Sequence, residues 1–316
     1  MTERTSAKAD LEALLRRNIR ALAGDDEGLR FGVAVSGGPD SMVLLDLAAR
    51  LFPGRTEAAT VDHGLRRASS TEAAQVAQWC GEQGVPHEVL HPAEPVNGNV
   101  QQWARMQRYA ALEEWRSRRG IDWIMTAHHA DDQLETMLMR LNRGAGVNGL
   151  AGIRPRQGHV LRPLLSARRV HLLDHARSQR LPFVHDPSNS DPRFDRAVIR
   201  QHLTGVDWID PQAAVRSAAA LAECEEALNW SVDLLDKQYV RGEGGAWVLT
   251  RTDFPRELLR RLVLRLLQRV QPDAQPRGET VDRALASALE GGQASIGAAL
   301  LRGGPEWTVS LAPARR

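Results

Sequence analysis

The chain of 316 residues has two cysteines, two lysines and no long run of apolar side chains. Cys80 and Cys224 are far apart and form no C-x-x-C pair, which argues against a disulfide framework and a zinc ribbon. No apolar stretch approaches the roughly 20 residues that cross a bilayer, and the first residues lack the apolar core of a signal peptide. We therefore predict a cytoplasmic protein with no membrane partner.

Charge is nearly balanced over the whole chain. Lysine and arginine together number 41 and the acids 39, so the formal net charge at pH 7 is +2. So small an excess creates no strong field for a nucleic acid, and any basic site has to be local. Since Lys8 and Lys237 are the only lysines, nearly every basic side chain is an arginine. This bias weakens inference from any single arginine.

Short apolar runs alternate with longer helical patterns up to about residue 127. Hydrophobic residues make up 42% of the chain and charged residues 25%, the balance of a globular protein. The alternation predicts an α/β domain with a doubly wound, mostly parallel sheet. The predicted strands are 30–35, 57–61, 87–90 and 123–126, and the predicted helices between them are 41–51, 70–83 and about 100–119.

The pattern changes beyond the fourth predicted strand. A helix, a glycine-rich stretch and a hairpin-like segment come first, followed by a predicted helix over 166–180. From about residue 211 amphipathic helical patterns dominate, and the tail resembles two short strands around a Gly-Gly-Pro turn. We predict two domains, residues 1–210 and a smaller, mainly helical domain over 211–316. Apolar helices near the carboxyl end are compatible with a homodimer.

The segment SGGPDS follows a buried-strand pattern and opens a helical one. Its glycines allow backbone amides to converge at the positive end of the helix dipole, and its serines add hydroxyl donors. The proline suits a first helical turn. The aspartate would repel a phosphate unless Mg²⁺ bridged the two. The pattern predicts a phosphate site, with an ordinary glycine turn as the alternative. Its residues are Ser36, Gly37, Gly38, Pro39, Asp40 and Ser41.

Two other nucleotide-binding patterns can be set aside. The P-loop of ordinary NTPases, G-x-x-x-x-G-K-[ST], requires a lysine that this segment lacks. GAGVNG, residues 144–149, formally fits the dinucleotide fingerprint G-x-G-x-x-G, but it follows a helical pattern where the fingerprint must follow a strand. We interpret GAGVNG as a substrate-facing loop or a plain connector.

Several segments together carry a resemblance to a known family. SGGPDS is similar to the S-G-G-x-D-S signature of PP-loop ATP pyrophosphatases, which cleave ATP between the α and β phosphates. Most of residues 30–203 resembles the tRNA(Ile)-lysidine synthase family within that superfamily, although Arg196-Ala197 stands where the family usually has Arg-Asn. The further segments are VDHGLR (61–66), ARMQRY (104–109), TAHHADDQLETMLMRLNRGAGVNGLAGI (126–153), RPLL (162–165) and DPSNSDPRFDRAVIR (186–200).

This resemblance implies a two-step reaction that uses ATP and Mg²⁺. AMP is transferred to the C2 oxygen of the wobble cytidine of the isoleucine tRNA with anticodon CAU, and pyrophosphate is released. The ε-amine of free L-lysine then displaces AMP to form lysidine. Residues 1–210 are then the PP-loop ATP-binding catalytic domain, and residues 211–316 a tRNA-binding domain.

The resemblance also implies roles for individual residues. Adenylation builds negative charge around the α phosphate, which cations must offset. The aspartate of the loop and Asp132 are candidate Mg²⁺ ligands, and Asp132 alternatively accepts a proton from the lysine ammonium. For Arg105, on a helical pattern, the alternative is a solvated helix face. The predicted catalytic residues are Asp40, Arg105 and Asp132.

Other residues are predicted to bind substrates. His63, just past the second predicted strand, lies where the adenine or ribose of ATP is expected, with a plain strand-end histidine as the alternative. Residues 154–180 carry seven arginines and one acid, Asp174, an excess that suits an RNA backbone. The predicted substrate-binding residues are Arg108, His129, Glu135, Arg168 and Arg169.

Two other functions stay open from the residues alone. A PP-loop tRNA thiolase also adenylates a base carbonyl, but such enzymes generally need reactive cysteines or a cluster, and two isolated cysteines argue against one. A non-catalytic RNA-binding protein would keep the nucleotide only as a structural ligand.

Overall fold

A computed structural model describes residues 2–64, 68–184 and 195–312. The chain divides into two compact units, Met1–Ala222 and Glu223–Arg316. The division falls inside the long helix Pro211–Tyr239, whose first residue directly follows the predicted boundary at 210. The roles assigned to the two parts stay a prediction.

The first unit alternates strands and helices over most of its length. Its sequence produces this pattern because strands such as FGVA are wholly apolar and short, while the segments between them place apolar residues at helical spacing. The elements in chain order are α1 (Thr2–Ala23), β1 (Phe31–Ala34), α2 (Pro39–Leu51), β2 (Thr56–Val61), α3 (Ala68–Gln83), β3 (His87–Leu90), α4 (Val100–Arg119), β4 (Trp123–Met125), α5 (Ala130–Asn142), α6 (Val147–Leu150), β5 (Arg156–Gln157), β6 (Val160–Leu161), α7 (Arg169–Ser178), α8 (Asp195–His202) and α9 (Pro211–Tyr239).

The sheet of the first unit has six strands in the order β3-β2-β1-β4-β6-β5. The pairs β1–β2, β2–β3, β1–β4 and β4–β6 are parallel, and only the short β5–β6 hairpin is antiparallel. The predicted mostly parallel sheet is therefore confirmed. The strand order reverses between β1 and β4. Open α/β sheets bind ligands in the crevice at the carboxyl ends of the two strands where the order reverses.

Burial of β1 and α2 fixes the position of the segment between them. Phe31 and Val33 of β1 are fully buried, as are most apolar side chains of α2. At Gly32 a β-carbon would lie 2.5 Å from the ring of Trp115, so only glycine lets α4 pack this closely against the strand. The segment 35–38 is thus held between two rigid elements.

The second unit combines the remainder of α9 with two helices and an antiparallel sheet of five strands in the order β7-β8-β11-β10-β9. The predicted strand pair around the Gly-Gly-Pro turn is confirmed, whereas the other three strands escaped the sequence analysis. The elements are β7 (Val240–Glu243), β8 (Ala246–Leu249), α10 (Arg256–Val270), α11 (Gly278–Leu289), β9 (Gln293–Ile296), β10 (Ala299–Arg302) and β11 (Trp307–Leu311).

Within the three described ranges, no helix combines the length and the apolar character that a membrane span requires.

Candidate active site

A cavity of about 550 Å³ opens at the carboxyl ends of β1 and β4. Its walls come from the loop after β1, the ends of β2 and β4, and the helices α2, α4, α5, α7 and α8. It therefore occupies the crevice where the strand order reverses. The predicted site residues that line it are Ser36, Gly38, Pro39, Asp40, Ser41, Arg105, Arg108, Asp132 and Arg169.

The loop after β1 is shaped by its own hydrogen bonds. The hydroxyl group of Ser41 donates to the carbonyl oxygen of Gly38 at 2.9 Å and accepts from the backbone N–H of Ser36 at 3.2 Å. Gly37 has a φ of 79°, in the left-handed region that favours glycine, and its carbonyl oxygen accepts from Val184 at 2.9 Å. No side chain caps the start of α2. The first amides of this helix therefore face the cavity as donors for an anion.

A buried histidine lies between the two predicted catalytic carboxylates. The Nε2 atom of His129 is 3.6 Å from Oδ2 of Asp40 and 3.5 Å from Oδ2 of Asp132. Its Nδ1 atom accepts from the backbone N–H of Asp132 at 3.2 Å, so the N–H of the ring lies on Nε2 and faces the carboxylates. Burial acts to lower the pKa of His129, but the contact with Asp40 and the neighbouring carboxylates raise it, which favours a positive charge on the ring. The side chain of Asp132 in turn accepts from the N–H of His129. This capping box fixes both residues at the start of α5.

The surroundings of Asp132 keep it ionised. Burial alone would raise its pKa, but the charges of His129 and Arg196 and the N–H of His129 lower the pKa below its ordinary value. A carboxylate with a lowered pKa is a weak base. Of the two roles left open for Asp132, holding a cation is therefore better supported than accepting a proton.

His128 presents a neutral ring to the cavity. Burial lowers its pKa to about 4, and nearby arginines act in the same direction against the charge of Asp132. Its Nδ1 atom is 2.9 Å from the hydroxyl oxygen of Thr126, which orients the ring. At neutral pH it is a hydrogen-bonding group and carries no charge.

The residues present fit a Mg²⁺ ion. Oδ1 of Asp40 is buried and has no hydrogen-bond partner among the residues that the structure describes, and a cation would satisfy this acceptor. Asp132 faces the same cavity. Among the residues described, no cluster of three or more His, Cys, Asp or Glu side chains could hold a metal. The ion would therefore need the phosphate groups of a nucleotide, and water, as further ligands.

Five arginines line the cavity and outnumber its two carboxylates. Burial and the charge of Arg105 lower the pKa of the Arg108 guanidinium, a cost that a bound anion would relieve. Arg105 lies over the ring of Tyr109 at 5.1 Å, which holds its guanidinium along the wall. The described lining of the cavity is thus positively charged and suits an anion. Its arginines are Arg105, Arg108, Arg169, Arg196 and Arg200.

Helix α8 supplies two arginines to the cavity that were not predicted from the sequence as site residues. Arg196 and Arg200 both line the cavity and stand four residues apart, on one face of the helix. Their spacing was visible in the segment DPRFDRAVIR, but nothing in the sequence indicated which helix face turns toward the cavity. Three polar residues earlier in this motif, Ser188, Asn189 and Asp191, lie outside the described residues.

Five of the predicted site residues, all within the described ranges, are placed elsewhere. His129 is buried behind the wall, and both ring nitrogens of His63 are buried without a hydrogen-bond partner. Burial and the charge of Arg108 lower the pKa of His63. Asp131, the neighbour of Asp132, accepts from the N–H of Arg169 and so caps the start of α7. The five that do not line the cavity are Gly37, His63, His129, Glu135 and Arg168.

Glu135 makes a buried ion pair instead of facing the cavity. It is 2% exposed, and its two carboxylate oxygens accept from Nε and Nη2 of Arg200 at 2.7 and 2.9 Å. This bidentate pair joins α5 to α8 and aims Arg200 at the cavity.

Glu135→Gln is expected to lower the free energy of unfolding by about 3 kcal/mol, because it removes the charge of the bidentate pair and leaves Arg200 only the longer contact with Asp132 at 3.6 Å. Urea denaturation measures this change. The matched control is Glu113→Gln, which breaks an exposed pair with Arg116 and should change stability by less than about 1 kcal/mol. Equal stability of the two variants would contradict a structural role for Glu135.

Comparisons with known proteins agree with this geometry. Residues 11–206 match the PP-loop domain family. The chain is 38% identical to a tRNA(Ile)-lysidine synthase of Zymomonas mobilis, over 98% of each chain. It is 41% identical to that of Novosphingobium aromaticivorans, over 92% of this chain and 91% of the other.

Among solved structures, the U34-tRNA thiolase NcsA of Methanococcus maripaludis, with its [4Fe-4S] cluster, matches with a TM-score of 0.54 and 19% identity. The match covers 66% of this chain and 78% of the thiolase, and it shows the shared fold alone. The family match spans well over half of the chain, and the two synthases cover nearly all of it. The chain belongs to the tRNA(Ile)-lysidine synthase family of PP-loop proteins.

Proposed function

We propose that this chain is an ATP-dependent carbon–nitrogen ligase that converts the wobble cytidine of the CAU-anticodon isoleucine tRNA to lysidine, with free L-lysine as the second substrate. The observation that carries the proposal is the convergence of the loop after β1, two carboxylates and five arginines on one cavity. Family membership supports the choice of substrates.

In the first step, the C2 oxygen of cytidine bonds to the α phosphorus of ATP, and the bond from that phosphorus to the pyrophosphate oxygen breaks. The amides at the start of α2 and the serine hydroxyl groups of the loop suit the leaving pyrophosphate. Arg105 and Arg108 suit the charge that develops around the α phosphate. Mg²⁺ held by Asp40 and Asp132 would offset further negative charge on the phosphate oxygens.

In the second step, the ε-amine of lysine bonds to C2, and the C2–O bond breaks. AMP leaves with the oxygen that belonged to cytidine, and the lysine nitrogen loses protons to become the substituent of the base. The lowered pKa of Asp132 suits it to attract the lysine ammonium, since an ionised carboxylate offsets that charge at the cavity wall.

Every arginine of α10 pairs with acidic side chains of the same unit, which makes these arginines weaker candidates for a tRNA backbone. We propose that RNA contacts come from the basic stretch 154–180 of the first unit. Within that stretch, Arg162 is buried and Arg156 stacks on Trp123. Of the remaining arginines we keep the predicted Arg168 and Arg169; Arg168 lies 3.9 Å from carboxylate oxygens of Asp131 and Asp210, a distance longer than a hydrogen bond. The pairs on α10 are Arg256–Asp282, Arg260–Asp282, Arg261–Glu225, Arg261–Glu257, Arg265–Asp233 and Arg269–Asp236.

Arg168→Ala is expected to weaken tRNA binding and to reduce the slope of log K against log salt concentration by about 1, the effect of one lost phosphate contact. The KM for ATP should not change, because Arg168 does not line the catalytic cavity. A salt series of filter-binding measurements tests this, with the exposed Arg118→Ala of α4, outside the stretch, as control. An unchanged slope for Arg168→Ala would show that Arg168 does not contact an RNA phosphate.

The function itself is tested by incubating the protein with ATP, Mg²⁺, labelled lysine and the CAU isoleucine tRNA. Mass analysis of the wobble nucleoside should show lysine in that cytidine, with AMP and pyrophosphate released. Release of pyrophosphate without lysine transfer would support adenylation at the loop after β1 and contradict lysine as the nucleophile.

A thiolase activity is less well supported. Burial raises the pKa of Cys80 to about 12, and neither Cys80 nor Cys224 lines the catalytic cavity. A tRNA substrate fits the cytoplasmic location that we propose. A homodimer, with which the apolar carboxyl-terminal helices are compatible, stays a prediction.

A further inference from the structure

A second, smaller cavity adjoins the catalytic one. Its volume is about 200 Å³, and it shares Arg169 and Arg200 with the catalytic cavity. The opposite wall is formed by the segment between α8 and α9, through Leu203, Val206 and Ile209. A group bound here would therefore lie beside whatever occupies the catalytic cavity.

The smaller cavity offers positive charge to a ligand. Among the described residues, Nε of Arg168 is buried without a hydrogen bond, although the guanidinium lies 3.9 Å from carboxylate oxygens of Asp131 and Asp210. Arg169 makes only a backbone hydrogen bond there, to Asp131, and its guanidinium has no partner in the described part of the chain. The acids of the wall are engaged: both oxygens of Glu135 accept from Arg200, and Asp131 accepts from the N–H of Arg169. A phosphate group suits this arrangement.

An exposed tryptophan belongs to the segment that forms one wall of this cavity. Trp208 is 81% exposed, and it lies between two residues of the wall, Val206 and Ile209. Its backbone is held from both sides. Val206 donates to the carbonyl oxygen of Leu203 at 3.1 Å, and Asp210 accepts from the first amides of α9 at 2.9 and 3.0 Å. The ring is thus presented to solvent on an anchored segment.

We propose that Trp208 and the arginines of the smaller cavity bind the nucleotide next to the wobble cytidine. Its base stacks on the ring of Trp208, and its phosphate pairs with Arg168 and Arg169. When the cytidine enters the catalytic cavity it leaves its stack in the anticodon loop, so its neighbour loses a stacking partner. An aromatic ring beside arginines is the usual substitute in proteins that bind single strands. The proposal rests on the proposed tRNA substrate.

Trp208→Ala should weaken binding of an anticodon stem–loop RNA about 10-fold or more, the effect of losing one base stack. Trp208→Phe, which keeps an aromatic face, should restore most of the affinity. Trp230→Ala is the matched control, because Trp230 is 65% exposed and belongs to the other unit. Fluorescence anisotropy with labelled RNA, in the absence of ATP and lysine, gives the three dissociation constants. Equal affinities for Trp208→Ala and the wild type would overturn the proposal.

Abasic RNAs identify the stacked base. Removing the base on one side of the wobble cytidine should weaken wild-type binding about 10-fold and leave binding by Trp208→Ala unchanged. If Trp208→Ala loses affinity equally for every abasic RNA, the ring does not stack on a neighbouring base. Because binding is measured without chemistry, this result is independent of lysidine formation. Failure of the wild type to form lysidine would contradict the proposed function, but the binding constants would still show whether Trp208 stacks on a base.

Discussion

Asp132→Asn is expected to lower the turnover of lysidine formation at least about 100-fold while tRNA binding persists. The substitution removes a negative charge that faces His129 and the cavity. The amide oxygen of asparagine can still accept from the N–H of His129, so the capping box at the start of α5 survives. Single-turnover kinetics with saturating tRNA measures the loss, and filter binding measures the affinity.

The neighbouring carboxylate supplies the control. Asp131→Asn removes the same charge one residue away, keeps an acceptor for the N–H of Arg169, and should change turnover by less than about 3-fold. Near-normal turnover by Asp132→Asn, or an equal loss in both variants, would contradict a chemical role for Asp132.

Asp40→Asn is expected to lower the rate of pyrophosphate release at least about 100-fold, even when lysine is omitted. The reason is the buried Oδ1 of Asp40, which has no hydrogen-bond partner among the described residues and is the best-placed ligand for a cation on the leaving phosphates. The rate is measured with labelled ATP and the CAU tRNA. Asp174→Asn, an exposed change of equal charge on α7, is the control.

The two variants separate the two steps. If Asp40 serves adenylation, raising the Mg²⁺ concentration should recover part of the activity of Asp40→Asn, since a weakened site is filled by mass action. Normal pyrophosphate release by Asp40→Asn would contradict the assignment of this carboxylate to the nucleotide.

The loop after β1 could be predicted because its signals are local. A short apolar strand, paired glycines and a proline before a helical pattern act over fewer than 20 residues, and each has a direct physical reason. The first four strands and the helices between them could be predicted because their signals are also local. Their periodicity is strong, and burial on both faces of a parallel sheet reinforces it.

Pairings between distant segments could not be predicted. Asp132 and Glu135 stand three residues apart on α5, and the sequence alone gives them similar prospects. The structure separates them, because Arg200, far along the chain, takes both oxygens of Glu135. The cap that Asp131 provides for α7 could not be predicted either, because Asp131 and Arg169 are far apart in the sequence.

Three strands of the second unit, β7, β8 and β9, were missed because each has only four residues, and β7 and β9 also carry polar side chains. β7 has the sequence VRGE, with one apolar side chain in four. The Gly244-Gly245 pair that follows was the available signal, since both glycines have positive φ and form the tight turn to β8. The helical periodicity of the segments before and after this glycine pair led to the prediction of a mainly helical domain.

The most direct test of the account follows one oxygen atom. The CAU isoleucine tRNA is prepared with ¹⁸O at C2 of the wobble cytidine and incubated with the protein, ATP, Mg²⁺ and lysine. If the cavity adenylates that oxygen and lysine then displaces AMP, mass analysis will find the ¹⁸O in AMP and lysine on the base. If the label stays in the nucleoside or appears in pyrophosphate, adenylation of the cytidine oxygen is wrong.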